Sequence, residues 1–146
     1  MRVVLDTSVF VAALLSSTGA SARLVELWLE EVELEVLISE ALLEELRRVL
    51  ARPKFAGRLT IDDVDSLIGN LRQNALMLEH PNPAALELPD VEDRFLADLA
   101  LAGQAQVVVT LDRPLLDLAS LAHGQAIVPI VSPATLLTLL RQEGIA

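Results

Sequence analysis

Four carboxylates carry the chemical interest of this sequence: Asp6, Glu45, Asp93 and Asp112. Asp6 closes the run Arg2-Val3-Val4-Leu5 and is followed by two hydroxyls, Thr7 and Ser8. An apolar β-branched run this short reads as a strand buried on both faces, as in a parallel sheet. In open parallel sheets, sites form outside the carboxyl ends of the strands, where the strand order reverses. The plainer reading is that Asp6 or Thr7 caps the next helix. Asp112 repeats the pattern after Val107-Val108-Val109-Thr110-Leu111, and Asp112-Arg113-Pro114 also reads as an ordinary helix start.

Glu45 and Asp93 depend on helical geometry. Glu40, Glu44 and Glu45 share a helix whose apolar stripe centres on Leu42 and Leu46. Glu44 falls on the far side and Glu40 lies off the stripe. Glu45 lies on its edge, where a side chain can lean into a crevice or simply face solvent. In a later helix, Leu96, Leu99, Ala100 and Gly103 face inward. Asp93 shares that side in the first turn, and Asp98 points the opposite way. For Asp93 the plain alternative is a capping interaction with Asp90, or a favourable helix dipole.

The elements that must position these acids alternate. Strands are expected over residues 2–6, 34–38, 75–79, 106–110 and 126–131. Helices are expected over 9–15, 20–31, from Ser39 to about Arg52-Pro53, 60–72, 92–103, 114–121 and 133–142, with a Pro-rich loop at 80–89. Alternation of this kind predicts an α/β fold, a three-layer α/β/α sandwich on a mainly parallel sheet. No repeat or linker divides the chain, so residues 1–146 are expected to form one domain.

Composition narrows the function. Apolar residues make up 53% and mean hydropathy is +0.50, which argues against disorder. No apolar run approaches the ~18 residues of a membrane span, and Asp6 interrupts the one candidate leader, so a cytoplasmic location is expected. Without cysteine, disulfides and thiolate metal sites are excluded. The net charge of -10 argues against a broad electrostatic grip on nucleic acid and favours a cationic partner, a bound metal or plain solubility. The aromatics Phe10, Trp28, Phe55 and Phe95 supply little stacking surface for single-stranded bases. His80 and His123 read as loop or surface residues.

Taken together, Leu5-Asp6-Thr7-Ser8-Val9, Ser39-Glu40-Ala41-Leu42-Leu43-Glu44-Glu45-Leu46, Asp93-Arg94-Phe95-Leu96 and Val109-Thr110-Leu111-Asp112 resemble a PIN domain across nearly the whole chain. They are most similar to the PIN-family toxins of bacterial and archaeal toxin-antitoxin modules. The resemblance implies a five-stranded sheet of order 3-2-1-4-5, which puts the strand ends bearing Asp6 and Asp112 side by side. It implies that Asp6, Glu45, Asp93 and Asp112 form a catalytic set for RNA cleavage. Asp6, Asp93 and Asp112 are then ligands of Mg²⁺ or Mn²⁺, with Ser8 and Thr110 as polar supports. It also implies a small antitoxin partner and a homodimer. Apolar helix residues such as Val9, Leu14, Leu24 and Leu27 are expected to exceed what one small core can hide.

Two positions depart from the family pattern. Ser8 and Arg94 stand where asparagine is frequent. Arg94 is a candidate phosphate contact or a partner for a site acid. The chemistry suits the residue types, because hard cations take oxygen ligands, and a bound cation activates water without a nucleophilic side chain. A haloacid-dehalogenase-type phosphatase requires an aspartate at position 8. A response-regulator receiver requires a lysine near the last strand, and the only lysine is Lys54. The remaining rival is a PIN-like binding or scaffold module with weak or lost nuclease activity.

Overall fold

The first strand behaves as its composition dictates. In the computed structural model, which describes residues 1–31, 33–79, 88 and 90–145, β1 (Arg2–Leu5) keeps Val3, Val4 and Leu5 wholly out of solvent. The chain continues through α1 (Thr7–Leu15), α2 (Ala20–Glu30), β2 (Glu35–Ile38), α3 (Glu40–Leu50), a 3-10 turn (Pro53–Phe55), α4 (Ile61–Asn74) and β3 (Leu76–Met77). Then follow α5 (Val91–Ala102), β4 (Val107–Val109), α6 (Arg113–Asp117), β5 (Ser120–His123), β6 (Ala126–Val131) and α7 (Pro133–Gln142). The expected loop at 80–89, with His80, lies outside the described residues apart from Leu88. No single described helix is long and apolar enough to cross a membrane.

The sheet order is β3-β2-β1-β4-β6-β5, and every pairing is parallel except β5 with β6. The α/β fold with a mainly parallel, helix-flanked sheet is therefore as expected, and the 3-2-1-4-5 order holds for the strands foreseen. The sixth strand was not foreseen. The helix expected over 114–121 stops at Asp117, and residues 120–123 turn back as an edge strand. Ala119 sits in the left-handed region at φ 65°, which ends the helix. Gly124, at φ 62°, then makes the tight hairpin into β6. His123 is an exposed residue of that edge, as its reading required.

Local chemistry explains the helix starts. The Ser39 side chain accepts from the Leu42 N–H, and Thr60 and Asp63 form a reciprocal capping box on α4. These caps hold Asp63 below the ordinary carboxyl range, chiefly through the Thr60 N–H. Leu42, Leu43, Leu46 and Leu50 of α3 enter the core. Gly103 follows α5, where a Cβ would stand 2.6 Å from Leu37 Cδ1 and 2.9 Å from the Leu99 carbonyl, so only glycine lets the helix end this close to β2. Val9, Leu24 and Leu27 are buried in the core, and Leu14 is partly buried against it, so they do not form the surplus apolar face anticipated for a dimer.

Candidate active site

The strand order reverses at β1. The chain leaves it for β2 on one side and returns as β4 on the other. Leu5 pairs with Val109, and the Asp6 N–H donates to the Val109 carbonyl at 2.9 Å. The register therefore sets Asp6 beside Thr110, at the switch point where such sheets form their sites.

Asp6 occupies the N-cap position of α1, yet its side chain makes no capping hydrogen bond. Its carboxylate is taken by hydroxyls instead. Thr110 Oγ1 donates to Oδ2 at 2.7 Å and Ser8 Oγ donates to Oδ2 at 2.9 Å. Thr7 Oγ1 lies 3.3 Å from Oδ1 and 3.2 Å from Glu45 Oε1, so one proton serves two acids. Each hydroxyl on Oδ2 is itself backed by a backbone donor: Asp112 N–H reaches Thr110 Oγ1 at 3.0 Å, and Leu111 N–H reaches Ser8 Oγ at 3.1 Å. A hydroxyl has one proton, and both of these are spent on Asp6. Such chains polarise one another, and they fix Asp6 as an acceptor in a site where it is only 8% exposed.

Asp112 answers differently. Its Oδ2 accepts from the Leu115 N–H at 3.3 Å, so it caps α6 as the plain reading held, while its side chain stays exposed. Glu45 is 9% exposed, buried on the edge of the α3 stripe. Glu44 is exposed. Glu40 is exposed too and grips Arg72 through bonds of 2.7 and 3.0 Å, which hold its carboxyl below the ordinary range.

All four acids line one cavity of about 600 Å³, with Ser8 at its wall. Glu44 and Asp98 do not line it. Arg94 does not line it either, and its Nε donates to the Leu88 carbonyl at 2.7 Å. The sequence reading did not place Thr7, Asp90, Arg52, Lys54 or Phe55 at the site, nor the apolar lining residues Val11, Ala12, Leu15 and Val49.

The donors offered to a cation are oxygens throughout, with no sulfur or imidazole among the described lining residues, which fits Mg²⁺ or Mn²⁺ in kind. Among the described residues, no three Asp, Glu, His or Cys side chains are arranged to hold an ion between them. Mg²⁺ tolerates this, because it keeps several waters and takes one or two carboxylates with substrate phosphate.

The fold is shared with solved structures. PAE2754 from Pyrobaculum aerophilum is similar with a TM-score of 0.63 at 20% identity, over 97% of this chain and 90% of that one. VapBC2 from Rickettsia felis, bound to a DNA fragment from their promoter, gives 0.57 at 15% identity, over 90% of this chain and 98% of that one. No curated protein matches the chain in sequence. The family model of the PIN domain matches residues 2–114, which include all five acids that line the cavity, and the chain belongs to that family.

Proposed function

We propose that this chain is a Mg²⁺- or Mn²⁺-dependent ribonuclease, the toxin of a toxin-antitoxin pair, working in the cytoplasm. The observation that carries the reading is the convergence of Asp6, Glu45, Asp93 and Asp112 on one cavity at the sheet's switch point. The motifs' resemblance to PIN-family toxins supports the substrate class and the small antitoxin partner, and the fold shared with VapBC2 from Rickettsia felis agrees with the latter. Homodimerisation rests on the resemblance alone. The whole chain 1–146 is taken as one PIN-like domain.

In this reading Asp6, Asp93 and Asp112 are the carboxylates that would hold the cation, one or two directly and the rest through its retained waters. Bound there, it supplies an activated water and offsets charge at the leaving oxygen. The chain's own part is orientation and charge. Ser8 and Thr110 hold the Asp6 carboxylate in one pose, Thr7 ties it to Glu45, and Glu45 adds a buried carboxylate to the cavity wall. The absence of a three-acid cluster among the described residues favours a second reading, a binding or scaffold module of the same fold. Metal-dependent cleavage of RNA separates the two. Asp6→Asn, Asp93→Asn and Asp112→Asn abolish cleavage on the first reading, while Glu44→Gln and Asp98→Asn retain it. Equal rates in the parent and all five variants would defeat the assignment.

A further inference from the structure

The cavity that gathers the acids also gathers two cations. Arg52 and Lys54 are the cations among the described residues that line it, in a chain of net charge -10. They flank Pro53, whose ring fixes φ, in a turn closed by Phe55 N–H to the Arg52 carbonyl and Ala56 N–H to the Pro53 carbonyl. Lys54 Nζ stands 5.1 Å from the centre of the Phe55 ring, and Phe55 is buried, so the ammonium is seated on a fixed platform. Other arginines are spent locally: Arg23 on Glu26 and Glu30, Arg47 on Asp65, Arg72 on Glu40, Arg113 on Asp117. Arg52 and Lys54 are exposed, and the ion pairs found among the described residues do not engage them.

We propose that Arg52 and Lys54 form the phosphate grip of the site, holding a backbone phosphate of single-stranded RNA next to the one cleaved. The proposal rests on the ribonuclease reading above. An acid-lined cavity repels a polyanion, and a guanidinium and an ammonium at its wall are the local charges that oppose this. Arginine takes two phosphate oxygens at once, and lysine acts as a point charge. The two are positioning residues: they set where the strand lies relative to Asp6 and Asp112.

The test measures binding apart from cleavage. A short labelled single-stranded RNA of mixed sequence is titrated by anisotropy in chelator at several salt concentrations. The proteins are the parent, Arg52→Ala/Lys54→Ala, and Arg58→Ala/Arg141→Ala, which removes the same charge away from this cavity. The grip variant is expected to bind at least fivefold more weakly and to lose about 0.7 from its salt slope, the value for one phosphate neutralised on a single strand. The control pair should keep the parent's slope. With Mn²⁺ added, the grip variant should show a raised KM at little cost in kcat. An unchanged affinity and slope, an equal loss in the control pair, or a parent that does not bind the RNA would each overturn the grip. A parent that binds with the expected slope but does not cleave would defeat the ribonuclease reading and leave the grip standing.

Discussion

Two junctions of this molecule start from the same local recipe and end in different states. After β1 and after β4, a buried valine-rich strand runs into an aspartate at the N-cap of the next helix. Asp112 does what such an aspartate ordinarily does, and caps α6 through Leu115. Asp6 leaves the α1 amides alone, because Thr110 and Ser8 offer it hydroxyl protons at shorter range. The difference comes from neighbours, not from either aspartate. β1 lies inside the sheet beside β4, so Asp6 meets a hydroxyl from the adjacent strand, whereas Asp112 stands past its strand end in solvent. Burial then makes Asp6 the fixed point of the site and leaves Asp112 at its rim.

The largest expected effect comes from exchanging charge at the fixed junction. Asp6→Asn should lower metal-dependent RNA cleavage by more than the roughly 100-fold that loss of an outer-shell partner costs. It should also blunt the rise in Tm that millimolar Mn²⁺ gives the parent. A Mn²⁺-dependent shift in Asp6→Asn equal to the parent's would reduce Asp6 to a structural residue and erase the contrast.

Thr110→Val comes next, because Thr110 joins the two junctions. Its hydroxyl donates to Asp6 and accepts from the Asp112 N–H. Valine keeps the volume and removes both bonds. A bond to a charged group contributes about 1.5–3 kcal/mol, so the denaturation midpoint should fall, with activity down roughly 10–100-fold. Thr110→Ser should restore most of both. If valine costs neither stability nor activity, the hydroxyl relay does not hold Asp6.

At the rim junction, stability and activity should separate. Asparagine caps a helix about as well as aspartate, so Asp112→Asn should melt with the parent while losing cleavage. Asp112→Ala should lose cleavage and also about 1 kcal/mol of stability, a shift of a few degrees in Tm. Equal melting of the two variants would show that the Leu115 contact contributes nothing.

Acidification probes the surface pair on the neighbouring helix. Arg72 lowers the Glu40 pKa chiefly through its hydrogen bond, so the pair's stabilisation is complete above the ordinary value of 4.5 and is lost as pH falls through the lower folded value. Both side chains are exposed, so Glu40→Gln should lower the melting temperature only slightly and only above that value, the two profiles converging below it as the Glu40 carboxyl takes up its proton. A difference from the parent that persisted or grew below the folded value would contradict this.

The sequence carried what is written in short patterns. Strand β1, the Ser39 and Thr60 caps, the edge position of Glu45 on its helix and the inward side of Asp93 all follow from neighbours a few residues away. What escaped depends on the third dimension. Which of two like aspartates caps its helix was decided by a hydroxyl 104 residues distant. Arg52, Lys54 and Phe55 follow the end of α3, and their local sequence says helix stop; only packing turns that stop toward the acids. The β5 hairpin was hidden because its first signal is an alanine in a conformation that alanine seldom takes.

That alanine supplies the smallest effect. α6 is five residues long, begun by Asp112 and ended by Ala119 at φ 65°. The left-handed region costs a residue with a Cβ roughly 1–2 kcal/mol, and glycine avoids the cost. Glycine also enlarges the unfolded ensemble, worth about 0.5–1 kcal/mol against it. Ala119 is exposed, so its methyl leaves no hole in the core. Ala119→Gly should therefore raise stability by about 0.5 kcal/mol, read from the denaturant midpoint at unchanged slope. Cleavage should stay at the parent's rate, because Asp112 still caps the other end of the helix. A loss of stability would mean that the chain reversal into β5 is held by something other than the dihedral at 119. A loss of cleavage would mean that the rim junction is set from the hairpin side, and the contrast between a fixed aspartate and a locally capped one would then have to be redrawn.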